Sequence, residues 1–251
     1  MSRHLSAEVD EVRFISEDHF ILTLIPADAI NHPLPGQFFL LRKDSCGDDP
    51  LLRRPFSVLD YNNGKLRFFI RITGRGTAAI SRSAKGDKID ILGPLGNPFP
   101  PPSEGERAVI VAGGVGIASV FPLLKRESQK GVLLYGARTA RAVYLLTEIE
   151  ETGIDVRVST DDGSMGYKGG VLDLFRDYLD EGGDGVVYSC GPELMIQGLA
   201  GIMKDRGING YLSLEERMAC GIGACLGCVK EVGGRKRRVC VEGPVFNISE
   251  F

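Results

Sequence analysis

Val109-Ile110-Val111-Ala112-Gly113-Gly114-Val115-Gly116-Ile117-Ala118-Ser119 is the stretch on which the reading of this 251-residue chain turns. A β-branched apolar run ends, glycines turn the backbone, and helical spacing begins. A helix entered that way presents free N–H groups and its positive end to a pyrophosphate. The match to Gly-x-Gly-x-x-Gly is partial, because Ser119 stands where the third glycine would be. Close packing of strand against helix would ask for the same glycines, so the loop by itself leaves both readings open.

Downstream the alternation continues. Ala108–Ala112, Val132–Tyr135, Asp155–Ser159 and Val186–Ser189 read as strands. Between and after them, Ile117–Glu127, Ala140–Glu151, Val171–Leu179 and Glu193–Asp205 carry helical spacing. Strand–helix alternation predicts a parallel α/β sheet, here over residues 102–211. Its fourth strand ends at Cys190-Gly191-Pro192, and Pro192 suits the first turn of a helix. Ligands of open α/β sheets bind outside the carboxyl ends of the strands, which is where Cys190 falls. A lone cysteine there is otherwise a small buried hydrophobe.

Upstream the pattern is different. Gly93 to Ser103 holds five prolines and reads as a connection between units. Before it, Ala7–Ile15, Phe20–Ile25, Gln37–Arg42, Pro55–Asp60, Leu66–Ile72 and Lys88–Leu92 read as strands, with one short helix over Thr77–Ala84. Asn63-Gly64 marks a hairpin. Six antiparallel strands so spaced predict a small closed β-barrel over residues 1–101.

The last segment, 212–251, carries Cys220, Cys225, Cys228 and Cys240 in the spacing C-x4-C-x2-C-x11-C. A C-x4-C-x2-C run with a distant fourth cysteine is the plant-type 2Fe–2S spacing. Gly221, Gly223 and Gly227 allow the loop to turn its N–H groups toward cluster sulfurs. Structural zinc is the rival; its four-cysteine sites usually use two C-x2-C pairs, and only one is present. Lys230 to Arg235 reads as a hairpin carrying the chain between Cys228 and Cys240.

Composition narrows the function classes. With 43% hydrophobic and 25% charged residues the chain is of globular type, and its net charge of −3 gives no footprint for nucleic acid. No apolar run is long enough to span a membrane, and Met1–Leu5 lacks the apolar core of a signal peptide. Thiolate ligands then point to a reducing cytoplasm, where a Cys46–Cys190 disulfide is not expected. No paired carboxylates stand out as a catalytic set, and His4, His19 and His32 are all expected at the surface.

Two loops of the first hundred residues complete the picture. Arg54-Pro55-Phe56-Ser57 sets a guanidinium and a hydroxyl three positions apart at a strand start, and Gly74-Arg75-Gly76-Thr77 precedes a helix. Either could hold an anion, and either could be an ordinary solvated turn. Taken in order, however, these loops resemble the flavin motifs of the ferredoxin reductase superfamily, and Gly113-Gly114-Val115-Gly116 and Cys190-Gly191-Pro192 resemble its pyridine-nucleotide loops. With the cysteine run and Val239-Cys240-Val241-Glu242-Gly243-Pro244-Val245-Phe246, the whole chain resembles the electron-transfer subunits of NAD-dependent dihydroorotate dehydrogenases.

That resemblance implies FAD at Arg54, Pro55, Phe56, Ser57, Ile70, Arg71, Gly76 and Thr77. It implies NAD at Gly113, Gly114, Gly116, Cys190, Gly191 and Pro192, and a 2Fe–2S cluster on the four cysteines. It implies no organic substrate site in this chain. Electrons from dihydroorotate would instead arrive from a separate FMN-containing catalytic subunit, in a heterotetramer of two catalytic and two electron-transfer chains, as a step of pyrimidine biosynthesis. A flavin belongs between the other carriers because nicotinamide exchanges electron pairs and the cluster single electrons. The residues do not decide NAD over NADP: Tyr135-Gly136-Ala137-Arg138 offers no acid for a ribose hydroxyl, and Arg138 suits a 2′-phosphate. The alternatives are the small FAD/2Fe–2S subunit of an NADH-dependent ferredoxin:NADP oxidoreductase and, in another class, a zinc-bound binding module. Arg235-Lys236-Arg237-Arg238 is either part of a docking face or a solvated basic turn.

Overall fold

The computed structural model describes residues 3–44, 49–128 and 130–251. Cys46 lies outside the described residues. The first unit is one antiparallel sheet of β1 (Arg3–Phe14), β2 (His19–Pro26), β3 (Phe38–Lys43), β4 (Arg54–Ser57), β5 (Asp60–Asn62), β6 (Lys65–Arg71) and β7 (Lys88–Leu95), with helix α1 (Arg75–Ser81) before β7. The order across it is β4-β3-β7-β1-β2-β6-β5. Inward residues such as Val9, Phe20, Leu22, Phe39, Phe68 and Ile91 form its core. Asn63 and Gly64 both take positive φ, as a two-residue hairpin between β5 and β6 requires.

The strand count is seven, not six. The run expected as one strand over Pro55–Asp60 divides at Val58-Leu59 into β4 and β5, which occupy opposite edges of the sheet. Val58 donates its N–H to Gln37 O beside β3, and Leu59 donates to Arg67 O on β6. The sheet therefore curls round until one continuous piece of chain joins both of its edges. The short helix also starts earlier than expected and stops at Ser81, where Arg82 leaves helical geometry. The proline-rich connection is not a free linker: Gly93-Pro94-Leu95 finishes β7, and Phe99 is buried edge-on against Tyr188.

The second unit has β8 (Ala108–Gly113), α2 (Ile117–Arg126), β9 (Val132–Ala137), α3 (Leu146–Glu150), β10 (Asp155–Thr160), β11 (Tyr167–Lys168), α4 (Val171–Asp180), β12 (Val186–Cys190), α5 (Glu193–Arg206) and β13 (Gly210–Ser213). After β13 the chain runs through the cysteine loop, hairpin β14 (Val229–Val232) and β15 (Arg235–Arg238), one turn of helix α6 (Val239–Glu242) and β16 (Val245–Asn247). The sheet order is β11-β10-β9-β8-β12-β13-β16, parallel except for β16, which is antiparallel to β13. Alternate residues of β8 feed two cores. Ala108, Ile110 and Ala112 face α2 and the first unit; Val109 and Val111 face α4 and α5. The helix expected over Ala140–Glu151 is shorter, because Leu145 at φ 60° breaks it before α3.

The expected boundary at 211/212 cuts through β13. The tail is stitched back to the body by β16, by Leu214 N–H to Pro244 O (2.9 Å) and by Asn97 N–H to Gly243 O (2.6 Å). Among the described residues no helix is long and apolar enough to cross a membrane.

Candidate functional site

The cysteine loop runs from Cys220 to Cys228 between β13 and β14. Gly221 and Gly223 take φ of 70° and 79°, a conformation open to glycine at little cost, and Leu226 joins them at 58°. These turns aim backbone N–H groups at sulfur. Cys225 N donates to Cys220 Sγ at 3.4 Å and Gly227 N to Cys225 Sγ at 3.4 Å. Burial opposes ionisation of Cys220, but N–H bonds from Cys225, Ile222 and Ala224 overcome it and bring the thiol down to about 6. Cys240 sits with Cys228, each almost fully buried beside Phe38, Leu40, Leu95 and Val239. Burial, then the neighbouring Cys228, pushes its thiol up to about 12.

The four sulfurs thus pair off, Cys220 with Cys225 and Cys228 with Cys240. Among the described residues no three metal-ligating side chains converge on a single ion. Two pairs with N–H groups aimed at sulfur fit two bridged irons, which take two thiolates each. Iron's own charge would deprotonate a coordinating thiol, Cys240 included.

A cavity of about 510 Å³ opens between the first unit, the start of α2 and the strand-to-loop segment before the cysteines. Arg54, Pro55, Phe56, Ser57, Ile70, Arg71 and Thr77 all line it, with Phe38, Phe69 and Val115 as apolar wall. Gly76 is not on the wall but shapes it, since a Cβ there would overlap the Arg54 guanidinium. Arg54 also donates from Nη1 to Leu52 O. The Thr77 hydroxyl is committed to its own loop: Oγ1 accepts from Thr73 N (2.9 Å) and donates to Gly74 O (3.0 Å). Apolar walls with guanidinium groups from Arg54, Arg71 and Arg217 and the Ser57 hydroxyl on the lining fit a flat aromatic ring system bearing phosphate.

A second cavity, about 690 Å³, follows the carboxyl ends of β8, β9, β10 and β12. Gly113, Gly114 and Gly116 line it with Gly191 and Pro192. Cys190 does not: its thiol is buried, and burial pushes it up to about 12. What it gives the site is its backbone. A Cβ at Gly116 would overlap Cys190 O, so the two loops touch only because that glycine is bare. Close-approach glycines at a helix N-terminus fit a pyrophosphate.

The places of His19, Glu215 and Met218 were not foreseen from sequence. His19, expected at the surface, is 4% exposed. Its ring stacks on Tyr144 at 4.2 Å, and its Nδ1 lies 2.6 Å from Asp18 Oδ1. Arg71, Val115 and Glu215 each line both cavities, so the two are neighbours across a shared wall. Glu215 is open to solvent within the cavities, yet enough protein surrounds it to push its carboxyl above the ordinary range, with Lys230 partly opposing. Met218 lines the first cavity and also packs against the apolar cluster that contains the buried cysteine pair. The basic hairpin is largely spoken for: Arg237 pairs with Glu242 and Glu250, and Arg238 with Glu242, leaving Arg235 and Lys236 exposed.

Comparison with known proteins agrees with this layout. Residues 215–251 match the iron–sulfur cluster binding domain of dihydroorotate dehydrogenase B, and residues 110–200 match the oxidoreductase NAD-binding domain. The dihydroorotate dehydrogenase B (NAD(+)) electron transfer subunit of Bacillus caldolyticus is 40% identical, over 95% of this chain and 94% of its own length. That of Desulforamulus reducens is 34% identical, over 98% and 97%. A solved structure of an NADH-dependent reduced ferredoxin–NADP oxidoreductase, described for flavin-based electron bifurcation, covers 97% of this chain and 88% of its own. Its TM-score is 0.83, at 29% identity. The ferredoxin reductase of a carbazole 1,9a-dioxygenase, 23% identical with a TM-score of 0.70 over 82% of this chain and 67% of its own, shares the fold. The chain belongs to the family of electron transfer subunits of dihydroorotate dehydrogenase B (NAD(+)).

Proposed function

We propose that this chain passes electrons from the FMN of a dihydroorotate dehydrogenase catalytic subunit, through a 2Fe–2S cluster and FAD, to NAD⁺. The observation that carries the order of stations is contiguity. Cys228 and Cys240 belong to a buried cluster that Met218 packs against, Met218 lines the first cavity, and that cavity shares Arg71, Val115 and Glu215 with the second. When bound, FAD supplies the exchange between electron pairs and single electrons that the other two carriers need.

The chain's own residues do the rest. Cys220, Cys225, Cys228 and Cys240 hold the cluster. Arg54 and Ser57, with Pro55, Phe56, Ile70, Arg71, Gly76 and Thr77, hold and orient FAD. Gly113, Gly114, Gly116, Gly191 and Pro192 admit the nucleotide, with Cys190 behind them. The working units are residues 1–101 for FAD, 102–211 for NAD and 212–251 for the cluster. The assembly is a cytoplasmic heterotetramer with two catalytic chains. A ferredoxin:NADP oxidoreductase subunit is the second reading, favoured by the 29% identity across nearly the whole chain. Against it stand relatives of 34–40% identity named for dihydroorotate dehydrogenase.

The test is reconstitution. The purified chain should absorb as a flavin with an iron–sulfur shoulder. Mixed with the FMN subunit of dihydroorotate dehydrogenase, it should couple dihydroorotate oxidation to NAD⁺ reduction. Cys225→Ser should keep FAD and NADH-to-dye activity while losing transfer between the subunits. Normal coupled turnover in that variant would overturn the proposed path, and a colourless zinc protein would overturn the reading altogether.

A further inference from the structure

Tyr135 lines neither cavity, yet its hydroxyl bonds to two residues that line the second. It lies on β9, in register with Ala112 of β8, and is fully buried in the core that includes α2. A phenylalanine would fill the same space, so the hydroxyl is what calls for a reason. Burial pushes this phenol above the ordinary tyrosine range, which keeps it a neutral O–H able to donate and accept at once. It does both. Oη donates to Gly114 O at 3.2 Å and accepts from Tyr144 N at 3.3 Å.

Each unit gives the second cavity a wall, and the two bonds lead to both. Gly114 belongs to the glycine turn, and its carbonyl also accepts the Ile117 N–H. A trans peptide points its C=O and its N–H in opposite directions, so holding Gly114 O inward sends the Val115 N–H out of the turn. Val115 lines the cavity. Tyr144 leads to the first unit. Its ring stacks on His19 of β2 at 4.2 Å and leans on Phe69 of β6, with ring centres 5.4 Å apart. His19 Nδ1 lies 2.6 Å from Asp18 Oδ1, and Asp18 Oδ2 accepts from Arg71 Nε at 3.3 Å. Asp18, His19 and Arg71 are the wall that the first unit contributes.

We infer that Tyr135 is a positioning residue of the nucleotide cavity: its hydroxyl joins the glycine turn to the segment that grips the first unit, and so sets the two walls relative to each other before a dinucleotide enters. The inference rests on the reading of this cavity as the nucleotide site. The freedom that lets glycine make such a turn also lets its N–H groups wander, and that freedom must be given up when an anion binds. A turn already held by a buried hydroxyl has less to give up. Losing the hydroxyl would take the acceptor from Tyr144 N and one donor from Gly114 O together, leaving the turn and the Tyr144 segment to settle independently.

The test is binding calorimetry with ADP-ribose on the FAD-loaded complex with its catalytic partner, with KM and kcat for NADH-driven dye reduction beside it. Tyr135→Phe should weaken ADP-ribose about fivefold, the effect of one lost hydrogen bond, and raise KM by a similar factor while kcat falls less than about twofold. Tyr178→Phe is the control. It deletes a comparable hydroxyl bond, to Asp184 O at 3.3 Å, from a residue that does not line the cavity, and should leave ADP-ribose affinity within about twofold of wild type. Tyr144→Ala keeps the backbone N–H, removes the stack on His19, and should also weaken ADP-ribose about fivefold. Added to Tyr135→Phe it should cost less than about twofold more, because both changes break one link. Retained flavin absorbance shows that each variant is folded. An ADP-ribose affinity in Tyr135→Phe within about twofold of wild type would overturn the inference, and so would an equal loss in Tyr178→Phe. Fully multiplicative losses in the double variant would overturn the link through Tyr144. A wild type that does not bind ADP-ribose would instead overturn the nucleotide reading of the cavity.

Discussion

The two halves of the cysteine site differ as a surface differs from a core. Cys220 and Cys225 sit on an outer loop shaped by Gly221 and Gly223, beside Ile222 and Leu226, which are 59% and 61% exposed. Cys228 and Cys240 are 2% and 1% exposed, packed with Phe38, Leu40, Leu95 and Val239. The outer pair is held by N–H bonds to sulfur, the inner pair by apolar burial. The difference gives the site a direction. Its inner side adjoins the first cavity through Phe38 and Met218, and its outer side is exposed.

The sharpest way to break that comparison is chemical. In cluster-free protein at pH 7, iodoacetamide should alkylate Cys220 orders of magnitude faster than Cys240, because only the thiolate reacts. Cys220, lowered to about 6, should show a rate that rises through pH 6 and levels off above it, while Cys240, raised to about 12, stays unmodified at neutral pH. Peptide mapping against time reads both. Equal rates would mean the two halves are not distinct.

Serine substitution separates the halves energetically. Both Cys225→Ser and Cys240→Ser should lose the cluster by iron count and visible absorbance. Compared with cluster-free wild type, Cys240→Ser should also lose about 1–3 kcal/mol of stability, since it buries a hydroxyl among apolar groups. Cys225→Ser should lie within about 0.5 kcal/mol, as exposed substitutions do. Urea denaturation of the three metal-free proteins decides it.

Glu242 braces the turn that carries Cys240, and acid should release it. Its carboxylate takes the Arg238 backbone N–H and guanidinium, each at 2.9 Å, and Arg237 at 3.3 Å, which bring it down to about 2. A carboxyl depressed on folding contributes stability that is full above its unfolded value of 4.5 and fades as pH falls toward 2. The melting temperature of the metal-free chain should therefore fall between pH 4.5 and 2 by more in the wild type than in Glu242→Gln. Parallel curves would remove Glu242 from the account. The smallest effect belongs to the exposed tip. Replacing Arg235 and Lys236 with alanine should slow association with the catalytic subunit only a few-fold at low salt and not at all at high salt. An unchanged rate at low salt would make the hairpin tip a plain solvated turn.

What was legible in the sequence was what is local. The cysteine spacing, the glycine turn at 113–116 and the Asn63-Gly64 hairpin are each set by neighbouring residues, and the structure has them where they were read. What escaped depends on distant partners. His19 is buried because Tyr144, 125 positions away, stacks on it. Glu215 and Arg71 became shared walls only when two units met. The Val58-Leu59 division is invisible in an apolar run, since both halves are good strand sequence and only sheet closure sends them to opposite edges.

The antiparallel return of Val245–Asn247 onto the edge of the parallel sheet has a mechanical meaning. The cysteine segment leaves the body through β13 and comes back beside that same strand, and it packs on Phe38, Leu40 and Leu95 of the first unit, so it is a closed, seated loop and not a tethered arm. A carrier held that way cannot swing between donor and acceptor. Its throughput is set by fixed gaps between seated groups, and it should respond to the fit of the partner and hardly at all to the viscosity of the solvent.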